Sequence, residues 1–271
     1  MIDVIIPVYN GFDETKECIN SLLSCSNKSS HRLIFINDNS PNKDIHTLLN
    51  ELNNENTIVL HNQNNLGFVK SVNKGMKYSN HDVILLNSDT VVTNNWIDKL
   101  YHAAYSDEKI GTVTASTNNG TIASVPYFNQ DNELPEGYSI EQFSQLVEKV
   151  SDKIYPVIPT AVGHAMYIKR TMLDLIGYFD EETFGMGYGE EMDFSCRVIR
   201  RGYKNILADD TFIFHYGSTS FKSDKAKLIA IHKRKLLKKH WWYPINVKKF
   251  IYFDKKVKNI CKRIEEEIRM R

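Results

Sequence analysis

Short apolar runs recur along the first half of the chain, each bounded by turn residues and separated from the next by an amphipathic stretch. A strand buried on both faces reads as a continuous hydrophobic run, and the helix that returns the chain reads as a 3.6-residue stripe, so this alternation predicts parallel strands with crossover helices. Strands are expected at "DVIIPVY", "RLIFIND", "TIVLHN" and "DVILLNS", with helices over "ETKECINSLLSC", "NKDIHTLLNEL" and "GFVKSVNKGMKYS" between them. Past Asp89, "NNWIDKLYHAAYS" reads as helix and "IGTVTAS" as strand. Residues 116 to 159, containing Pro126, Pro135, Pro156 and Pro159, read as a long irregular or partly helical excursion of the kind that often binds ligand. A strand at "AVGHAMYIK", a short helix at "RTMLDLIG", the turn "YFDEETFGMGYG", a helix at "EEMDFSCRVIRRG" and two strands, "KNILAD" and "TFIFHY", follow. From Phe221 onward the chain reads as helix broken at Pro244.

The expected fold is therefore α/β, a Rossmann-like and mostly parallel sheet flanked by helices. Each early strand ends in polar residues: Asn10; Asp38 with Asn39 and Ser40; Asn62 to Asn65; Ser88 and Asp89. In an open parallel sheet these ends share one rim, where ligands bind at the switch in strand order.

At 271 residues and 42% hydrophobic content the chain suffices for one large domain or a domain plus an appendage. No stretch approaches the roughly 20 consecutive apolar residues of a membrane span. The start "MIDVIIPVYNGFDE" lacks a basic region and a small-residue cleavage site, which points to the cytoplasm. Cys18, Cys25, Cys196 and Cys261 form no CxxC pair, so they are expected as reduced thiols.

The net charge of +1 hides a division: residues 222 to 271 hold 17 Lys and Arg against 5 Asp and Glu, leaving 17 basic and 28 acidic residues in the first 221. The tail mixes its cations with Trp241, Trp242, Tyr243, Phe250, Tyr252 and Phe253. Three explanations stand: a solvated helix packed on the acidic body, a face for anionic lipid at the inner side of the plasma membrane, or an oligomer contact. Nucleic acid is disfavoured because no binding motif accompanies the charge.

Four stretches could carry chemistry. Asp89, at the end of a buried run, either caps the next helix or offers a hard oxygen ligand to a divalent cation. Glu190, Glu191 and Asp193 crowd the start of a helix after "GMGYG"; acids there complement the helix dipole, yet a clustered carboxylate can also be a general base. His215 is either a satisfied core histidine or a metal ligand. "NNLGFVKSVNKG" is neither a GxGxxG nor a GxxxxGK[ST] motif, which weakens an oxidoreductase or P-loop reading.

In order, "VIIPVYNG", "INDNS", "NLGFVKSVNKG", "LLNSDT", "GHAMYIKR", "IGYFDE", "GYGEEMDFSCRVIRRGY" and "HYGS" resemble glycosyltransferase family 2, the inverting nucleotide-sugar transferases of GT-A fold, over roughly residues 2 to 218. The resemblance is to bacterial members that extend surface polysaccharides or protein glycans, including rhamnosyltransferase-like sequences. It implies a catalytic domain over residues 1–220, with a nucleotide-binding half to about residue 115 and an acceptor-binding half after it, followed by a helical basic extension over 221–271.

Carried over by position, Pro7, Val8, Tyr9 and Asn10 would line the nucleoside pocket. Asp38 would bond the base, with Asn39 and Ser40 shaping the turn, and Leu66, Gly67 and Lys70 would close over the nucleotide. Ser88 and Asp89 fall in the DxD position, where Asn87 replaces the first acid. Asp89, with His215, would hold Mn2+ or Mg2+ on the diphosphate. Glu191 is the favoured general base, with Glu190 the other candidate, and Asp193 would orient the helix or bind acceptor. The expected activity is transfer of a hexose from a nucleotide diphosphate sugar, UDP-linked by preference and dTDP-rhamnose as an option, to a glycan hydroxyl on lipid or protein. The alternative is a nucleotide-sugar or glycan binding module without activity, for which Asn87 is the hint.

Overall fold

The run Ile2–Val8 (β1) lies in the middle of a sheet, its Val4, Ile5, Ile6 and Val8 wholly buried. The computed structural model describes residues 1–52, 55–217 and 222–271, with side chains from 227 on in the last stretch. Phe12–Ser24 (α1), His31–Asn37 (β2), Lys43–Asn50 (α2), Thr57–His61 (β3), Phe68–Tyr78 (α3) and Asp82–Leu86 (β4) then alternate as the hydrophobic pattern requires. Next come Thr90–Val91 (β5), Trp96–Tyr105 (α4), Ile110–Ser116 (β6), Ile140–Val150 (α5), Val157–Ile158 (β7) and Ala165–Ile168 (β8). Arg170–Ile176 (α6), Glu181–Phe184 (α7), Glu190–Arg200 (α8), Lys204–Phe212 (β9) and Phe214–His215 (β10) complete the body.

The sheet runs β3-β2-β1-β4-β8-β6-β9-β7. β3, β2, β1 and β4 are mutually parallel, and β6 is parallel to β9, whereas β8 and β7 run antiparallel to their neighbours. Because β1 sits between β2 and β4, the chain leaves it in one direction and returns on the other side. The C-terminal ends at Val8, Asn37 and Leu86 therefore border one crevice.

Several expected boundaries change. "DVILLNS" stops at Leu86, and four positions further on, β5 leaves the main sheet to pair antiparallel with β10, setting Thr90 opposite His215. "KNILAD" and "TFIFHY" do give two strands, but the boundary moves: residues 204–212 form the first, buried from Asn205 to Phe212, before the chain turns away to β10 at Phe214–His215. The strand expected at "AVGHAMYIK" shortens to 165–168. Residues 161 and 162 instead bond side chains, Ala161 N donating to Ser195 Oγ at 2.9 Å and Val162 N to Thr114 Oγ1 at 3.1 Å. Within the long excursion, Ser139 and Gln142 make a reciprocal capping box, which satisfies two free N–H groups and starts α5.

The tail is three helices, Lys222–Lys239 (α9), Tyr243–Phe253 (α10) and Lys256–Arg269 (α11). Pro244 does mark a break, seated in the first turn of α10, and Asp254 supplies a second that the sequence did not announce. Phe221, where the tail was expected to begin, and Ser218 of "HYGS" lie outside the described residues. The extension packs closely on the body. Leu236 and Tyr243 join the core beneath α3 and α8, while Phe250, Val257, Ile260 and Ile264 join the core of α5. Of the four cysteines, all free, burial pushes Cys18, Cys196 and Cys261 up to about 12, which keeps them as inert thiols.

Asp193 ties the tail to α8. Its side chain is fully buried and accepts from Arg197 Nε at 2.8 Å, Lys239 Nζ at 2.6 Å and His240 Nε2 at 2.8 Å. Burial alone would raise its pKa, but Lys239, His240 and Arg197 outweigh burial and hold it low. Asp193→Ala strands three donors, and chemical denaturation should show a loss of about 3 kcal/mol, the lower end for a broken buried pair because Lys239 keeps some solvent. Since the folded pKa is depressed, that difference should shrink as pH falls through the acid range; a variant as stable as the parent at neutral pH would show that the cluster carries no load.

Candidate active site

At the first rim position Asn10 adopts φ 60°, and its N–H donates to Ser40 Oγ at 3.2 Å, joining the ends of β1 and β2. Ser40 is held in turn by Asn37 Oδ1, and Asn39 is exposed at φ 55°. Pro7 and Tyr9 are half-buried along the same edge, but Val8 differs from expectation. Its side chain is wholly buried in the main core, so it can serve a nucleoside pocket through backbone alone.

Asp38, expected to bond a base, is buried and committed within the chain. Oδ1 accepts from Asn62 Nδ2 and Leu66 N, and Oδ2 from Gly67 N, each at 2.8 Å. The carboxylate thus folds the 62–67 loop over the rim. Gly67 has φ 84°, and a Cβ there would stand 2.8 Å from Gly185 O and 3.0 Å from Met186 Sδ, so the loop meets the glycine-rich turn backbone to backbone. Leu66 and Lys70 are exposed beside it.

Asp89 and His215 are 126 positions apart, and the β5–β10 ribbon brings Asp89 Oδ1 to 3.4 Å from His215 Nε2. Tyr216 N donates to Asp89 O at 3.0 Å, continuing the ribbon. His215 is gripped by two residues the sequence reading did not select. Its Nδ1 donates to Asn119 O at 2.8 Å, and Asn118 exchanges bonds with its backbone at 2.8 and 3.0 Å. With Nδ1 donating to Asn119, Nε2 faces the carboxylate, and either a proton on Nε2 or a cation held by both groups satisfies the pair. Burial lowers the His215 pKa, but Asp89 outweighs it and the net direction is up. Among the described residues no third His, Cys, Asp or Glu completes a metal cluster. The carboxylate and imidazole nevertheless suit Mn2+ or Mg2+ held partly by phosphate and water. Ser88 is half-buried beside Asp89, and Asn87 N donates to His164 O.

Glu190 and Glu191 open α8 after Gly187, Tyr188 and Gly189, three consecutive residues with φ of 103°, 67° and 124°. Burial raises both carboxyls. The charge of Glu191 and a hydrogen bond to it lift Glu190 further, while N–H groups of the helix start and Glu190 itself moderate Glu191. Glu190 therefore keeps the proton of the pair and Glu191 ionises first. One oxygen on each, Oε2, is buried without a hydrogen-bond partner. Asp193, three residues on, belongs to the structural network already described. Tyr243 of α10 lies against Thr160 and feels the charge of Glu191.

The acid pair and the Asp89–His215 pair are linked by one short segment. Thr160 lies by Tyr243, and His164 stacks on His215 with centroids 5.7 Å apart. The four residue steps between Thr160 and His164 span at most about 14 Å. His164 is buried with both ring nitrogens unpartnered, and burial keeps it neutral. Quoted within "GHAMYIKR", it offered no signal distinguishing it from an ordinary strand residue.

The raised acid gives a test of stability. A carboxyl whose folded pKa lies above its ordinary 4.5 is retained as a folded-state proton that the unfolded chain releases. Stability then falls as pH rises between the two values, by up to about 1.4 kcal/mol per pH unit. Glu190→Gln should melt higher than the parent at pH 7.5, with little difference at pH 4.5; a gap independent of pH would mean that Glu190 ionises freely in the folded protein.

Residues 3–177 match the profile of glycosyl transferase family 2. The poly-beta-1,6-N-acetyl-D-glucosamine synthase of Staphylococcus aureus, in strains MSSA476 and MW2, is 22% identical over 206 residues, 75% of this chain and 47% of the relative. The chain thus spans about half the length of the curated relatives it matches. Similar solved structures include GalNAc-T7 with UDP, GalNAc and Mn2+ (TM-score 0.64, 15% identity, 99% of this chain and 54% of that one). The mannosyltransferase PcManGT from Pyrobaculum calidifontis with GDP-Man and Mn2+ gives 0.62 at 13% identity, over 98% of this chain and 73% of that one. At these identities the likeness is one of fold, GT-A. With the family profile covering well over half of its length, the chain belongs to glycosyl transferase family 2.

Proposed function

We propose that this chain transfers a hexose from a nucleotide diphosphate sugar to a hydroxyl of a growing glycan, with inversion at the anomeric carbon. The observation that carries the reading is the facing of Asp89 Oδ1 and His215 Nε2 at 3.4 Å on the sheet rim. Mn2+ or Mg2+ held by Asp89 and His215 would supply positive charge against the diphosphate, as a Lewis acid. Glu191 takes the acceptor proton as the hydroxyl oxygen forms its bond to the anomeric carbon and the bond to the diphosphate breaks. Its Oε2 has no hydrogen-bond partner among the described residues. Glu190, protonated, donates to Glu191 and fixes its orientation.

UDP-sugars are the first donors to try, since GalNAc-T7 was solved with UDP, and GDP-mannose and dTDP-rhamnose follow. A glycan on lipid or protein, of the bacterial surface type, is the proposed acceptor. A donor panel with Mn2+ tests the whole reading: tight nucleotide-sugar binding without turnover of any donor would move the chain to the binding-module alternative, for which uncharged Asn87 speaks. Within an active enzyme, Asp89→Ala should abolish the Mn2+ dependence of UDP affinity in calorimetry. Glu191→Gln should keep donor binding while turnover drops by about 10² to 10⁴; undiminished turnover would remove Glu191 from the role.

We also infer that the outer face of the tail rests on an anionic membrane. Trp241, Tyr252 and Phe253 are 72%, 72% and 75% exposed, with Ile245 on the same side of α10 and exposed Lys248, Lys249, Lys255 and Lys256 around them. Interfacial helices combine these residue types. Among the described residues no helix is long and apolar enough to cross a membrane, so attachment would be peripheral. The protein should sediment with phosphatidylglycerol vesicles and not with phosphatidylcholine ones, and Trp241→Ser with Phe253→Ser should release it. Failure to sediment together with a dimer in light scattering would assign the face to a second copy instead.

A further inference from the structure

The turn that delivers Glu190 and Glu191 does not stand on its own packing. Gly187, Tyr188 and Gly189 all lie at positive φ, a conformation that Tyr188, with its Cβ, adopts only when neighbours impose it. The neighbour is α9. His232 Nδ1 donates to Gly187 O at 2.7 Å and Tyr188 O at 3.2 Å; since carbonyl oxygens only accept, the ring proton sits on Nδ1. Phe184 meets the same ring edge to face at 5.4 Å.

Two more residues of α9 hold the flanks. Lys235 Nζ donates to Thr183 O at 3.0 Å, and Lys239 Nζ reaches Asp180 at 2.7 Å and Asp193 at 2.6 Å, one on each side of the turn. Positions 232, 235 and 239 fall on one face of a helix, with buried Leu236 among them. A single helical edge thus contacts the segment at its beginning, middle and end. Gly189 N–H, at the end of the turn, bonds the acid pair itself.

We propose that His232 is a positioning residue for the Glu190–Glu191 pair, so that the C-terminal extension completes the transfer site. This rests on the reading of Glu191 as the base. A base must lie within hydrogen-bond reach of the proton it removes, and a displacement of about 1 Å can cost 10²-fold in rate. The loop folded by Asp38 meets this turn at Gly185 and Met186, ahead of the carbonyls that His232 holds, and is fixed by its own bonds from Leu66 and Gly67 to Asp38, so donor affinity should change little.

His232→Phe keeps an aromatic ring on Phe184 and removes the donor; His232→Asn places an amide N–H close to where Nδ1 stood and removes the ring. In the full-length chain, His232→Phe should lower kcat by about 10- to 100-fold. Its UDP affinity with Mn2+ should stay within about twofold, and amide exchange of residues 187–191 should quicken in hydrogen–deuterium exchange. His232→Asn should recover most of kcat. Parental kcat or parental exchange in His232→Phe overturns the proposal, as does a His232→Asn variant equally impaired, which would leave packing as the whole effect. A parent protein without turnover on any donor would remove the functional reading, and the exchange measurement alone would then uphold or reject the brace.

Discussion

A carboxylate with no exposure to water must be surrounded by donors or give up its charge, and Asp193 satisfies that demand with residues from two distant parts of the chain. Arg197 is a helical neighbour, but Lys239 and His240 come from the end of α9. The pairing fixes where α9 ends against α8, and so where its preceding turns lie relative to the glycine-rich turn. What reads in the sequence as a basic appendage is, at this point, the counter-charge of the body. The cations farther out, on α10 and the start of α11, have no such acids facing them among the described residues and remain exposed with their aromatic neighbours.

The other organising constraint is the two-residue ribbon of β5 and β10. A parallel sheet presents its strand ends along a line, and the chain must leave that line to bring a side chain from a later strand back to it. Antiparallel pairing of Thr90 with His215 does so with a minimum of backbone, and the neighbouring Asn118 and Asn119 fix the imidazole so that its free nitrogen faces Asp89. Asp38 acts similarly on the other side of the crevice: by taking the N–H groups of Leu66 and Gly67 it spends its charge on loop shape.

The β1-to-β4 half was legible because its strands are buried on both faces and its helices are amphipathic, so periodicity and burial agree. Motif context singled out Asp89, His215, Glu190 and Glu191, and the ribbon sets the first two face to face. What escaped was set by contacts far apart in sequence. Nothing in "TFIFHY" states that its first two residues stay in the sheet while Phe214 and His215 cross to Val91 and Thr90. In "EEMD", helical spacing puts Glu190, Asp193 and Arg197 on one face, but only the packed tail decides that Asp193 is an anchor. Val8 shows the reverse error: its motif position suggested a ligand contact, and the alternation of strand side chains sends it into the core. His232 and Lys239 looked like solvated cations because nothing within α9 names their partners.

The C-terminal placement of α9 imposes a schedule on assembly. Chains emerge from the ribosome N-terminus first, and their early portions begin folding as they appear. β1, β2 and β3 find all their strand partners within the first 86 residues and can pair early. The acid turn is synthesised before α9, whose His232 then bonds the Gly187 and Tyr188 carbonyls. A chain that has not yet supplied α9 therefore holds paired first strands beside an unbraced acid turn.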